Sequence, residues 1–249
     1  MADSSSTPSQ GAPSQDGAAK VVLQYFEGHG LAEITRWMLT AAGIAFEHEP
    51  VDTRAKFLAL RDEEGVLPFG QLPLLRIDGL CLAQCMATMR YVARKGGLWP
   101  ASDPAAAQVD MLVEACKDVA GPAVGLPFKV HRGGEEEATA QQAALTASAR
   151  PLGWLEKWAA KAEHPPHLVG AATTAADVVL AFAVYQLAQA AFGEVTDSCG
   201  LAADFPAVWA VAKAVWESPS IKAYLAGPQR YPRPGPEYVK QVDTVLGRV

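Results

Sequence analysis

A proline and the residue before it mark one place where this chain could hold a small ligand by its main chain. Leu72 precedes Pro73, and a residue before proline is pushed out of the helical region into an extended conformation. The amide and carbonyl of Leu72 are then free to pair with a peptide-like ligand as an added strand. A cis bond before Pro73 would fix this turn, but an ordinary trans proline at a strand entrance has the same sequence.

Gln84 and Cys85 mark a second place. They directly precede a run, Met86–Lys95, whose apolar residues recur at helical spacing. The first free amides of a helix attract anions, and the Gln84 side chain adds a donor and an acceptor. Because a thiol at a helix N-terminus can have a lowered pKa, we expect Cys85 to differ from an inert buried thiol. The segment predicts a site for a small anionic peptide.

Tyr25 could bring a hydroxyl group to the same crevice. It follows Val21–Leu23, which is typical of a buried strand, and it precedes a turn at Gly28-His29-Gly30. A tyrosine at a strand end is more often a packing residue with a solvated tip. Because Tyr25 lies at a strand end beside a loop, its hydroxyl is expected to point into the same crevice.

The order of elements around these residues predicts a thioredoxin-like domain. Helical patterns follow Tyr25 at Ala32–Ala42 and Thr53–Asp62, and a strand is predicted between them at Ala45–Val51. Asp78-Gly79 then joins two short apolar strands, Leu74–Ile77 and Leu80–Leu82, as a hairpin. Residues 20–99 are therefore expected to form a mixed four-stranded sheet covered by helices.

From residue 100 onward the sequence becomes alanine-rich and predicts an all-helical domain, residues 100–249, after a linker at Trp99–Pro104. Thr174 and Asp177 have the form of a capping box at the start of a helix. A last pattern, Tyr238–Val249, would be either a mobile cover or a frayed terminus. The other helices are predicted at Ala106–Phe128, Glu135–Ala162, Ala175–Ala191, Phe205–Trp216 and Ile221–Leu225.

The composition limits the partners. A net charge of -6 without a run of basic residues argues against nucleic acid. Residues 1–19 lack aromatic side chains and are expected to form a disordered tail without the features of a targeting signal. No apolar run approaches about 20 residues, so we expect no membrane span and a cytoplasmic location. The 4 cysteines have neither zinc-site spacing nor disulfide density, so we expect no metal.

The combined motifs resemble the cytosolic glutathione transferases of the tyrosine type, in particular the alpha and sigma classes. The resemblance is carried by Tyr25-Phe26 before a Gly-x-Gly turn, by the run LPFGQLPLL and by Gln84-x-x-Ala87-x-x-Arg90-Tyr91. It implies an N-terminal thioredoxin-like domain and an all-helical second domain that contributes the electrophile site. It also implies detoxification by conjugation of the glutathione thiol to hydrophobic electrophiles, with glutathione as co-substrate and no cofactor.

The same resemblance implies individual roles. Tyr25 would be the catalytic residue that stabilises the glutathione thiolate. Phe69 would be an aromatic key inserted into a partner subunit, which implies a homodimer. Two of the contacts named next, Arg61 and Asp118, could equally be solvated charges on helices with no role in binding. The implied glutathione contacts are Gln71, Leu72 and Pro73 for the cysteinyl part, Gln84 and Cys85 for the γ-glutamyl carboxylate, Arg61 for the glycyl carboxylate, and Asp118 for the glutamyl amine of the neighbouring subunit.

Two departures from the family pattern bear on catalysis. His29-Gly30-Leu31 stands where the alpha and sigma patterns carry Arg-Gly-Arg, so the electrostatic help of the second arginine is absent unless His29 is charged. Cys85 replaces a Ser or Thr, and a thiol is a poorer donor than a hydroxyl. We expect weaker thiol activation, with the backbone amide of Cys85 retaining most of the binding.

Other functions remain open at this stage. One is a glutathione-dependent isomerase like the prostaglandin-converting members of the sigma class, and another is a non-catalytic ligand-binding or structural relative, which the missing arginine favours. A thiol-disulfide oxidoreductase is disfavoured because the segment from Tyr25 to Gly30 contains no cysteine.

Overall fold

The computed structural model describes residues 20–248, and the predicted tail at residues 1–19 lies outside this range. The described chain begins with a thioredoxin-like domain in which strands and helices alternate before a hairpin and a final helix. Its elements are β1 Val22–Tyr25, α1 Glu33–Ala41, β2 Glu47–Pro50, α2 Arg54–Leu58, β3 Leu74–Ile77, β4 Leu80–Ala83 and α3 Cys85–Lys95.

The four strands form one mixed sheet in the order β2-β1-β3-β4. Strand β1 runs parallel to β2 and antiparallel to β3, so Leu23 lies opposite both His48 and Leu75. The central strand β3 is almost fully buried, whereas the edge strand β4 is partly exposed. The predicted fold class of this domain is therefore confirmed.

Local sequence explains the hairpin and the helix starts. Asp78 and Gly79 both have positive φ angles, 52° and 76°, which is the geometry that two-residue hairpins require. Thr53 caps α2 by accepting a hydrogen bond from the Lys56 amide at 3.3 Å. The predicted helix Thr53–Asp62 is divided, because α2 continues into a wider helical turn at Ala59–Glu63. The predicted strand Ala45–Val51 shortens to β2, which pairs with β1 alone.

The second half of the described chain is helical, as the sequence predicts. Residues 100–248, the described part of this half, contain no strand. The short helix α7 was missed because 5 residues are too few to show a helical period. The helices are α4 Asp103–His131, α5 Glu137–Ala159, α6 Ala175–Phe192, α7 Gly200–Asp204, α8 Pro206–Trp216, α9 Pro219–Ala226 and α10 Pro236–Leu246.

Helix α6 forms the core of the helical domain. Among the described residues it is the one helix long and apolar enough to span a membrane, but 78% of it is buried among the other helices, as is typical of a core helix. Its start carries the predicted capping box. Asp177 accepts hydrogen bonds from the Thr174 amide at 2.7 Å and from the Leu168 amide at 2.8 Å.

The last helix, α10, packs back onto the thioredoxin-like domain. The Gln241 side chain donates to Glu27 Oε2 at 2.7 Å and accepts from the Glu27 amide at 3.1 Å. Arg54 Nη1 donates to the carbonyl of Val245 at 3.4 Å. The alternative of a frayed terminus is therefore wrong for Pro236–Leu246, which is held at both its middle and its end.

Candidate active site

Tyr25 places its hydroxyl group between the two ends of the described chain. It is the last residue of β1, and its side chain is 4% exposed. The Leu31 amide donates a hydrogen bond to Tyr25 Oη at 3.0 Å, and Tyr238 Oη of α10 lies 3.4 Å from the same oxygen. The N-terminal strand and the last helix thus meet at one phenol.

Glycines make this meeting possible. Gly30 has a φ of +42°, and a Cβ built on it would lie 2.4 Å from Tyr25 Oη and 2.3 Å from Tyr238 Oη. A Cβ on Gly28 would lie 2.3 Å from the ring of Tyr238. The predicted Gly-x-Gly turn is therefore required here by close approach as well as by backbone angle.

The environment keeps Tyr25 protonated. Burial raises the pKa of the Tyr25 hydroxyl above its ordinary value. Hydrogen bonds from Tyr238 and the Leu31 amide and the positive charge of Arg36 act in the opposite direction but do not cancel the effect of burial. A neutral phenol that remains a proton donor at neutral pH is the result.

A cleft of about 410 Å³, here called the polar cleft, lies beside Tyr25. The Leu72-Pro73 peptide bond is cis, and both residues precede β3 and lie outside its strand pairing. Gln84 Nε2 donates to Gln71 Oε1 at 3.0 Å, so these two side chains are already joined across the cleft wall. The predicted site residues that line this cleft are Tyr25, Gln71, Leu72, Pro73, Gln84 and Cys85.

A second cleft of about 390 Å³, the apolar cleft, lies between the loop after β1 and helices α4 and α6. Gly121 and Gly125 form part of its wall on α4, and a Cβ on either would meet no atom within 4 Å. Leu31 and Cys85 line both clefts. The two clefts therefore join next to the Tyr25 side chain.

Arg61 and Asp118 do not line either cleft. Arg61 is held by Asp62 through two hydrogen bonds of 2.6 and 2.7 Å. Its Cδ would be 3.6 Å from a Cβ on Gly70, a cleft residue, which places Arg61 at the cleft rim. Asp118 is an exposed residue of α4.

Cys85 does not have the lowered pKa that its position predicts. The thiol is largely buried, and burial raises its pKa above the ordinary value. Hydrogen bonds from the Met86 amide and from its own amide, together with the charge of Lys117, favour the thiolate but are weaker than the desolvation. The expectation was wrong because a position at a helix start does not reveal how deeply a side chain is buried.

His29 and Leu31 stand at the two positions where the family pattern has arginines. His29 is 2% exposed, its Nε2 contacts the Tyr231 carbonyl, and burial lowers its pKa, so it is neutral at neutral pH. Leu31 keeps the backbone amide that reaches Tyr25 although the arginine side chain is absent. Neither His29 nor Leu31 therefore carries a positive charge in this loop at neutral pH.

The sequence analysis missed Arg36 as a site residue. Its guanidinium is fully buried and donates to Glu33 Oε2 at 2.9 Å and to the Gly28 carbonyl at 2.9 Å. Tyr224 of α9 donates to the other Glu33 oxygen at 2.9 Å. The sequence signals this pair by its spacing, with Glu33 and Arg36 three apart on a predicted helix.

A thioredoxin-like domain followed by an all-helical domain, with clefts at their junction, defines the fold class of this protein. Comparison with family models matches residues 21–94 to the glutathione S-transferase N-terminal domain and residues 117–228 to the glutathione S-transferase C-terminal domain. Glutathione S-transferase alpha-4 of Rattus norvegicus is 34% identical over 228 residues, which cover 91% of this chain and 98% of the relative.

Solved structures agree with the sequence comparison. The glutathione S-transferase from Ascaris lumbricoides superposes with a TM-score of 0.67 at 31% identity, covering 83% of this chain and 96% of that one. Na-GST-3 of Necator americanus, described as monomeric, has a TM-score of 0.66 at 26% identity and covers 84% and 97%. The chain belongs to the glutathione S-transferase family, and it is a transferase.

The surroundings of the partly buried His48 predict a pH-dependent stability. Burial and the charge of Arg36, whose Nη2 lies 3.3 Å from His48 Nδ1, lower the pKa of His48 to about 4, against the attraction of Glu33. The unfolded chain takes up this proton near pH 6.5, so between about pH 6.5 and pH 4 the unfolded state binds more protons. The free energy of unfolding should therefore fall as the pH falls through this interval.

Urea titrations at several pH values measure this slope. His48→Gln should flatten the curve between pH 6.5 and pH 4, whereas His131→Gln, at an exposed position, is the matched control and should leave it unchanged. Identical slopes for wild type and His48→Gln would contradict the assignment.

Proposed function

We propose that this protein is a glutathione transferase in which Tyr25 stabilises the glutathione thiolate for attack on hydrophobic electrophiles. One observation carries the proposal: a cleft lined by main-chain and amide groups joins an apolar cleft at Leu31 and Cys85, beside the Tyr25 side chain. A peptide thiol held in the first cleft would face an apolar molecule in the second. Detoxification and a cytoplasmic location are parts of the same proposal.

The hydrogen bonds around Tyr25 support its role as a donor. A phenol oxygen has two acceptor positions and one proton. The Leu31 amide fills one position at 3.0 Å, and Tyr238 fills the other when it donates across the 3.4 Å separation. With both acceptor positions filled, the Tyr25 proton is left for the glutathione sulfur, and donors that bind to the oxygen strengthen this outgoing bond.

The free energy needed to lower the pKa of the thiol is within the range of a single hydrogen bond. A cysteinyl thiol has an ordinary pKa of about 8.5, and lowering it by about two units needs about 2.7 kcal/mol of preferential stabilisation of the anion. A hydrogen bond to a charged group contributes about 1.5 to 3 kcal/mol. Tyr25 can therefore supply most of the shift even though His29 and Leu31 provide no charge.

The other glutathione contacts follow from the polar cleft. The main chain of Leu72, which lies outside the strand pairing of β3 and lines the polar cleft, would pair with the cysteinyl part, and Gln71 would bind beside it. Gln84 and the amides at the start of α3, including that of Cys85, would hold the γ-glutamyl carboxylate. Asp118 of a partner subunit remains a proposal for the glutamyl amine.

Exposed apolar side chains support the proposed homodimer. Phe69 is 64% exposed in the loop before β3, and Met111 and Trp154 on α4 and α5 are 51% and 56% exposed. Large exposed apolar groups on both domains are what an aromatic key and its receiving surface would leave in a single subunit. A glutathione-dependent isomerase would use the same thiolate, and a non-catalytic carrier would bind glutathione without turnover.

Replacing Tyr25 by Phe tests the mechanism. Loss of the donor should raise the pKa of the bound glutathione thiol, measured by thiolate absorbance, and lower kcat/KM with 1-chloro-2,4-dinitrobenzene roughly 10- to 100-fold at pH 6.5. Tyr238→Phe should give a smaller change in the same direction, about 2- to 10-fold.

Tyr231→Phe is the matched control because its ring packs against His48 and Arg36 rather than Tyr25. If Tyr25→Phe has the wild-type thiol pKa and turnover, the mechanism is wrong. Glutathione binding by the wild type without conjugation would favour the carrier.

Filling the apolar cleft tests the electrophile site. Gly125→Phe should raise KM for the electrophile several-fold and leave the Kd of glutathione unchanged, because the new ring enters the apolar cleft and not the polar cleft. Gly125→Ala is the control, since a methyl group there meets open space and should stabilise α4 by about 0.5 to 1 kcal/mol. An equal loss of glutathione binding in Gly125→Phe would show that the clefts are not separate subsites.

Replacing Phe69 by Ser tests the dimer. The wild type should sediment at twice the subunit mass, and Phe69→Ser should shift it to the monomer at micromolar concentration because an aromatic anchor is lost. Leu80→Ser, at a 43% exposed edge-strand position, is the control. A wild-type monomer with full activity would refute both the dimer and a role for Asp118 across it.

A further inference from the structure

We propose that Arg248, directly after α10, binds the glycyl carboxylate of glutathione. This inference rests on the function proposed for the polar cleft and adds a residue from the opposite end of the chain to it. Arg248 and Leu246 both line the polar cleft together with Tyr25 and Leu72. The family resemblance assigns this carboxylate to Arg61 instead.

The end of α10 fixes the position of Arg248. Gly247 has a φ of +67° and its amide donates to the Thr244 carbonyl at 3.1 Å, while the Arg248 amide donates to the Asp243 carbonyl at 2.8 Å. A left-handed glycine with these two bonds closes a helix and turns the chain sharply. Arg248 is therefore placed by helix geometry and not by a loose tail.

Helix α2 holds this turn in place. Arg54 Nη1 donates to the Val245 carbonyl at 3.4 Å, and a Cβ on Gly247 would lie 2.2 Å from the same nitrogen. Arg248 thus enters the polar cleft from the side of α2, whereas the amides at the start of α3 would bind the γ-glutamyl carboxylate of glutathione. This separation matches a tripeptide that carries one carboxylate at each end.

The ion pairs of the described residues favour Arg248 over Arg61. Arg61 already donates hydrogen bonds from Nε and Nη2 to the two carboxylate oxygens of Asp62. Among the described residues, the carboxylate nearest to Arg248 belongs to Asp243, at 4.0 Å, and Asp243 already receives two hydrogen bonds from Arg132. Among the residues that line the polar cleft in the described chain, Arg248 is also the one permanent cation.

Binding through Arg248 would connect glutathione to the reacting phenol. Arg248 and Tyr238 belong to the same helical segment, and Tyr238 contacts Tyr25. A carboxylate that draws Arg248 into the cleft also holds α10 against β1. Glutathione would then stabilise the arrangement that activates its own thiol.

Titration calorimetry with two ligands and two variants tests the assignment. The ligands are glutathione and its glycyl monoethyl ester, which lacks the charge at that end. Arg248→Gln should raise the Kd of glutathione about 10-fold, since a charge-assisted bond is lost, and it should leave the Kd of the ester unchanged. Arg61→Gln tests the competing assignment, and it should change neither Kd by more than about 2-fold if Arg248 binds this carboxylate.

Thermal unfolding of both variants checks that each is folded. An Arg248→Gln variant that binds glutathione as tightly as the wild type, or that weakens glutathione and the ester equally, would overturn the assignment. A loss confined to Arg61→Gln would return the role to that residue. A folded wild type that ignores millimolar glutathione would overturn the proposed function itself, an outcome distinct from normal binding with no effect of Arg248.

Discussion

The hydroxyl of Tyr25 connects parts of the chain that are 213 residues apart, because Tyr238 of the last helix lies 3.4 Å from it. The phenol is buried, so its oxygen cannot rely on water and must find partners in the protein. Those partners come from the turn after β1 and from α10. The surroundings of the Tyr25 hydroxyl therefore depend on α10 being docked against β1.

A buried ion pair stabilises the turn that this arrangement needs. Glu33 and Arg36 lie on the first turn of α1, and Arg36 binds the Gly28 carbonyl while Tyr224 binds Glu33. Burying charges costs free energy unless hydrogen bonds replace the lost water, and here most of the polar atoms are paired. The pair links the loop of the first domain to α9 of the second.

Short-range signals explain why much of the fold followed from the sequence. Asp78-Gly79 identified the hairpin, and Thr174 with Asp177 identified the start of α6, because each signal lies within four residues of its effect. The contact of Tyr238 with Tyr25 has no such signal. The pKa of Cys85 was also beyond the sequence, since burial by distant helices decides it. Arg248 was missed for the same reason, because only the docked helix brings it to the cleft.

The position of Cys85 bears on whether electrophiles can alkylate the protein itself. Under the proposed function, an electrophile in the apolar cleft would face the protein's own sulfur as well as that of glutathione, because Cys85 lines both clefts. Only an ionised sulfur reacts quickly, and burial keeps the Cys85 sulfur protonated. The burial that raises the pKa of Cys85 would then protect the protein from alkylation, because the glutathione sulfur would be ionised and the Cys85 sulfur would not.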